Sequence, residues 1–355
     1  MSDRSKRAPA PLKRYELTPQ MRDYDEFNDA AQRRYLPYLM YFGRGDFSSQ
    51  AIRTDRAGFR ISTGPDGIQA SAAGHVPPGP VRILTGGSTA LGVGATGDAS
   101  TLSSLLWSRY APSEPWLNFA GHCFNPTQEA LLFTLYRHLL GNVSEVVIYS
   151  GVNAMMLARL PEWQQGDHGA FFFCGEYFEK MEELREQNRG PAKRFGRRTK
   201  SGSGTPAVAT FDDVRRDITT VIGSATEMTL RQLDVWRRMA GPETRITYVL
   251  QPMSRWMRQT STPQETVLFE ERDRIYQRGV WEELYGDVAT PEVAKSFAAE
   301  LRAGCEKQGV RFFDLNPVFA DATTEDDWLF VDRVHYNDMG HDIAARIMAE
   351  ELELS

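Results

Sequence analysis

"VRILTGGSTALG", residues 81–92, decides how the chain is read. An apolar, β-favouring run ends at two glycines, a serine follows, and a helix-like segment begins at once, which is the pattern of a strand, a tight turn and a helix. The serine therefore stands at the carboxyl end of a strand. The same rhythm recurs downstream: "WLNFA" (116–120), "EVVIYS" (145–150), "RITYVLQ" (245–251) and "VRFFDL" (310–315) alternate with helical patterns such as "TQEALLFTLYRHLLG", which stops at Gly141. Alternation of this kind predicts an α/β domain with a parallel five-stranded sheet between two helical layers. Ligands of such sheets bind at the carboxyl ends of the strands.

Two regions stand outside that rhythm. Residues 1–80 read as an N-terminal extension packed on a main domain of 81–355: a polar arm to about residue 20, a Tyr- and Phe-rich stretch over 23–47 expected to be core, a hairpin turning at 55–58, and the break "GHVPPGP". Residues 160–206 read as a mobile inserted loop, because "REQNRGPAKRFGRRTKSGSGTP" is basic, glycine-rich and poor in apolar residues. Its charge suits an acidic carrier or acceptor, or simply solvent.

Composition removes several function classes. The 355 residues carry a formal charge of −6, which opposes nucleic-acid binding, and 41% hydrophobic content is that of a soluble globular chain. Cys123, Cys174 and Cys305 form no CxxC pair, so neither a disulfide framework nor a thiolate zinc site is expected. No secretory signal and no eighteen-residue apolar run are present, which gives the expectation of a cytoplasmic protein without a membrane span.

The strand ends bring the chemistry together. After the first come Gly86, Gly87 and Ser88; after the second, Gly121, His122 and Cys123; after the third, Gly151 and Asn153; near the C-terminus stands "VDRVHYNDMGHDIAARIM". Serine becomes a nucleophile when an imidazole takes its proton, and a carboxylate fixes that imidazole's tautomer. Asp332 and His335, three apart, supply both. The oxyanion formed by attack on an ester needs donors, for which the Ser88 N–H, an N–H in the 121–123 turn and the Asn153 amide are candidates.

These blocks resemble those of the SGNH, or GDSL-type, hydrolases. "GGSTALG" is similar to the first block, "NFAGHCFNPTQE" to the second, "YSGVNA" to the third and "DRVHYNDMGHDIAA" to the last, and the likeness runs from about residue 81 to the C-terminus. It implies a flavodoxin-like α/β/α fold, with Ser88 as nucleophile, His335 as base and then acid, Asp332 as its orienting carboxylate, and Asn153 as an oxyanion donor. Two positions depart from the family pattern. Ala154 stands where the family commonly has Asp, and Cys123 stands where the oxyanion glycine usually falls, with Gly121 two residues earlier. Which of Gly121 and Cys123 donates is left open.

The implied reaction is hydrolysis of an ester, or of a thioester or amide, through an acyl-serine, with no metal or organic cofactor. The substrate would be a small acyl ester or an acylated metabolite or saccharide. Acyl transfer from the same intermediate, or a degenerate binding protein, are the alternatives. Simpler roles compete at each residue: Ser88 as a helix N-cap, Asn153 as a turn residue, His341 as a structural histidine. The remaining histidines, His75, His122, His138 and His168, lack metal-ligand spacing. "GVGATG" (92–97) satisfies GxGxxG, but it starts seven residues beyond Thr85, with Ser88 already in the turn, so a dinucleotide site is not expected.

Overall fold

In the computed structural model, which describes residues 13–29, 32–160, 165–188, 216–275 and 281–355, the five apolar runs pair into one parallel sheet. Its strands are β1 (Val81–Gly86), β2 (Trp116–Ala120), β3 (Val143–Ser150), β4 (Arg245–Leu250) and β5 (Arg311–Asp314). They lie in the order β2-β1-β3-β4-β5, the flavodoxin-like arrangement. Every residue of β1 and β2 is buried, which is why they read as unbroken apolar runs rather than as alternation. The edge strand β5 is part-exposed along its whole length, whereas β4 is so only at its first two residues.

The helices divide between the two faces as right-handed crossovers require. Helices α2 (Pro126–Tyr136), α4 (Ile218–Ala240) and α5 (Pro291–Gln308) connect successive strands, and α2 and α5 both pack against α4. On the opposite face the last helix, α6 (Asp338–Glu351), packs against Leu102–Leu105, which lies between β1 and β2. Strand order therefore reverses beside β1, and a crevice opens where β1 and β3 end. The start of α2 is fixed locally: Asn125 and Gln128 form a capping box ahead of the helix, with Pro126 at its first position. Among the described residues no helix is long and apolar enough to cross a membrane.

In the N-terminal layer Tyr24, Phe27, Tyr41, Phe42 and Phe59 are buried, and the Phe59 ring lies 4.7 Å from that of Phe119 on β2. The turn at Asp55 forms because its Oδ1 accepts the N–H groups of Ala57, Gly58 and Phe59. Its arms make only an isolated Thr54–Arg60 bridge, and the paired strands come later, at Ser62–Thr63 and Gln69–Ala70. The inserted segment also differs from its reading as a loop, since Cys174–Asn188 is a helix. Its basic stretch lies mostly in 189–215, outside the described residues, and so does the surface expected for an acidic carrier.

Candidate active site

Two glycines explain how Ser88 reaches the crevice. Gly86 has φ +151°, and a Cβ there would stand 2.1 Å from the Tyr149 carbonyl oxygen on β3. A Cβ on Gly87 would stand 2.7 Å from Asn153 Nδ2. With both side chains absent, the chain turns tightly off β1 and α1 (Ser88–Leu91) begins at once. Gly87 is the N-cap residue and Ser88 the first residue inside the helix, so the serine side chain does not cap it. Its hydroxyl is directed elsewhere.

Ser88 Oγ lies 2.7 Å from His335 Nε2. On the other side of the ring, His335 Nδ1 lies 2.8 Å from Asp332 Oδ2 and 2.9 Å from Oδ1. The same carboxylate accepts the backbone N–H groups of Val334 and His335, both at 2.9 Å, so one side chain fixes the loop and the ring together. Burial pushes the Asp332 carboxyl up, but the adjacent His335 charge and hydrogen bond, with Arg272, outweigh it and hold the group well below the usual carboxylate range. Between them, Arg333 turns away into a two-pronged ion pair with Asp273, at 2.9 and 2.7 Å.

The other expected residues divide. Asn153 sits in the first turn of α3 (Val152–Ala158), where Nδ2 donates one hydrogen to Phe124 O at 2.8 Å. That bond fixes the amide plane and leaves the second hydrogen for a ligand. The Gly121 N–H donates to Gly86 O at 3.1 Å, which removes Gly121 from the candidate donors. Cys123 has φ +59° and lines the same pocket as Ser88 and His335. The position thus takes the left-handed backbone that glycine adopts without strain, although a cysteine fills it. His341 is fully buried with its ring edge-on to Tyr336 and lies outside that pocket.

The pocket has a volume of about 490 Å³. Its floor comes from the strand ends, but its walls come from the additions: Arg33 of the N-terminal layer, Phe173 of the inserted segment, and Trp281 from between β4 and β5. None carries a motif, so sequence reasoning missed all three. His122 was placed at a strand end but given no role, for a related reason: its neighbours come from distant segments. Among the described residues no group of three His, Cys, Asp or Glu side chains is arranged to hold a metal ion.

No protein-family model and no curated protein matches the chain. Solved structures similar to it include a member of the lipolytic protein G-D-S-L family from Veillonella parvula DSM 2008, at 10% identity and a TM-score of 0.41, covering 77% of this chain and 97% of that one. A lipase/acylhydrolase from Enterococcus faecalis is 12% identical with a TM-score of 0.39, over 77% and 95% of the two chains. An acetyl xylan esterase is 11% identical with a TM-score of 0.38, over 77% and 98%.

Proposed function

We propose that this chain is a serine hydrolase of the SGNH type, cleaving a carboxylic ester through an acyl-Ser88 intermediate. The observation that carries the reading is the continuous line from Ser88 Oγ to His335 Nε2 at 2.7 Å and from His335 Nδ1 to Asp332 at 2.8 Å. With the proton on Nδ1, held by Asp332, the Nε2 lone pair faces the hydroxyl and accepts its proton as Oγ attacks the acyl carbon. The carbonyl oxygen becomes an oxyanion. The Ser88 and Cys123 N–H groups and the second Asn153 hydrogen are assigned to it, since these three residues line the pocket together with His335.

Collapse of the tetrahedral adduct breaks the ester C–O bond, and the His335 imidazolium gives its proton to the departing alkoxide. Water then enters, loses a proton to Nε2, and attacks the acyl carbon; expulsion of Ser88 Oγ, reprotonated by His335, releases the acid and restores the site. Every proton is accounted for by one imidazole, and no cofactor enters the scheme. Thioesters and amides fit the same steps. A pocket of about 490 Å³ suits a small acylated metabolite or saccharide.

A fluorophosphonate and intact-mass spectrometry test the reading on the wild type and on Ser88→Ala. One adduct per chain on the wild type and none on Ser88→Ala is the expected pair of results. A folded wild type that takes no adduct sinks the nucleophile assignment and leaves a binding protein as the better account.

A further inference from the structure

The pocket holds a second imidazole that neither the proton relay nor the oxyanion site uses. His122 lies on the loop after β2, one residue before Cys123, and lines the pocket with Ser88 and His335. Its ring is stacked on Phe173 at 6.2 Å with the planes 27° apart, and Tyr41 meets it edge-on at 6.0 Å. Both partners are themselves held: the Tyr41 hydroxyl donates to Asn28 Oδ1 at 2.8 Å, and the Arg33 guanidinium lies 4.4 Å from the Phe173 ring centre. The imidazole plane is therefore fixed before any ligand arrives.

Among the described residues His122 Nδ1 is buried without a hydrogen-bond partner. Buried polar atoms are nearly always paired, so an unpaired nitrogen on a side chain that lines a binding pocket marks a place where a ligand completes the bonding. The chemistry of that ligand follows from the charge state of the ring. Burial, and then the neighbouring charges of His335, Arg33 and Arg272, push His122 down to about 3. The ring stays neutral at working pH, so it meets a group with one donor or one acceptor rather than an anion that would demand a proton.

We propose that His122 is a specificity-determining residue that hydrogen-bonds an uncharged hydroxyl of the substrate alcohol. The assignment rests on the serine-hydrolase reading above and deepens it: the alcohol released is a polyol or sugar, not a plain alkyl chain. Aromatic walls beside a neutral imidazole suit such a group, since Phe172, Phe173 and Trp281 line the same pocket and offer apolar surface to the carbon skeleton while the ring nitrogen takes the hydroxyl.

The test compares p-nitrophenyl acetate, whose leaving group carries no hydroxyl beyond the ester itself, with a mono-O-acetyl methyl glycoside. His122→Phe keeps a stacking ring and removes the nitrogens. It is expected to lower kcat/KM for the glycoside about ten- to a hundredfold more than for p-nitrophenyl acetate, the scale of one unsatisfied polar group in a site built to hold a hydroxyl. His122→Asn, whose amide falls near the place of Nδ1, should recover part of that difference. The wild-type ratio of the two kcat/KM values should also stay flat from pH 5 to 8, because the ring does not titrate there.

Equal losses on both esters, no recovery in His122→Asn, or a ratio that titrates near pH 6.5 would each overturn the assignment to His122. A wild type that takes no fluorophosphonate adduct fails the hydrolase reading instead. The two failures are therefore separable: labelling of Ser88 reports on the nucleophile, and the ratio between esters reports on His122.

Discussion

Cys123 is a side chain in a glycine's conformation, and the oxyanion assignment needs only its backbone. With φ +59° the residue sits in the left-handed region, where a non-glycine residue costs about 1–3 kcal/mol and a β-branched one is an outlier. Cys123→Gly should leave stability within about 1 kcal/mol of the wild type, relief of strain offsetting the extra flexibility of the unfolded chain, and should retain ester turnover. Cys123→Val should lower stability by about 1–3 kcal/mol. Urea unfolding and p-nitrophenyl acetate kinetics on both variants decide it, and a Gly variant that folds well but is inactive would show that the thiol itself is needed. Asp332→Asn addresses the other end of the relay. The isostere keeps the loop's shape but removes the charge that holds Nδ1–H, so kcat should fall roughly 10²–10⁴-fold with KM little changed. A loss below tenfold would deny Asp332 its role. At this scale the sequence was legible where identity and spacing both carry information, as with Asp332 and His335 three apart behind a serine at a strand end. It was not legible for Gly121, whose N–H is taken by Gly86, or for His122, whose meaning lies in contacts with Tyr41 and Phe173 from distant segments.

Helix α2 carries a pH-sensitive element beneath the site. Glu129 is fully buried; its Oε1 accepts the Ser150 hydroxyl at 2.7 Å at the end of β3, and its Oε2 has no partner among the described residues. Burial pushes its carboxyl up to about 8, against which the Ser150 hydrogen bond pulls only weakly. A folded-state value above the unfolded one means that the folded chain holds the proton more tightly. The resulting stability is complete below about pH 4.5 and is lost as pH rises through 8. Glu129→Gln, which mimics the protonated acid, should outlast the wild type increasingly from pH 6 to 9, by up to on the order of 4 kcal/mol at the alkaline end. Urea midpoints for the two proteins across that range provide the comparison, and parallel curves would show that Glu129 is ionised without penalty. The elements themselves were legible in proportion to their burial. Strands buried on both faces leave continuous apolar runs such as "WLNFA", whereas the helix Cys174–Asn188 is largely exposed, has no strong apolar stripe and reads as loop. The pocket walls around Trp281 were lost for the same reason, since nothing in their local pattern marks a ligand.

At the scale of the molecule, one buried cation of the N-terminal layer reaches the helix that begins with Ser88. Arg60 is fully buried: its Nε donates to Asp98 Oδ1 at 3.0 Å, and one terminal nitrogen donates to the carbonyls of Leu91 at 3.1 Å and Gly92 at 2.8 Å and to the Tyr24 hydroxyl at 3.0 Å. Leu91 ends α1 and Gly92 caps it, so the layer grips the far end of the four-residue helix that begins with Ser88. A helix of one turn does not hold itself in water, and its geometry here comes from these tertiary bonds. Asp98 also accepts from Arg53, which makes it the acid on which two arginines of the layer converge. Removing it strands a guanidinium in the core, whereas removing both charges leaves only a packing defect. Asp98→Ala should therefore cost about 3–5 kcal/mol, and the double variant with Arg60→Met should cost less than the sum of the single losses, with a coupling of about 1–3 kcal/mol. Urea unfolding of the four proteins gives the cycle. The rate of fluorophosphonate labelling should fall in Arg60→Met even below its unfolding midpoint, because α1 loosens where the clamp was. Additive stabilities, or an unchanged labelling rate in a destabilised Arg60→Met, would mean that the layer merely covers the sheet and does not hold the nucleophile in place.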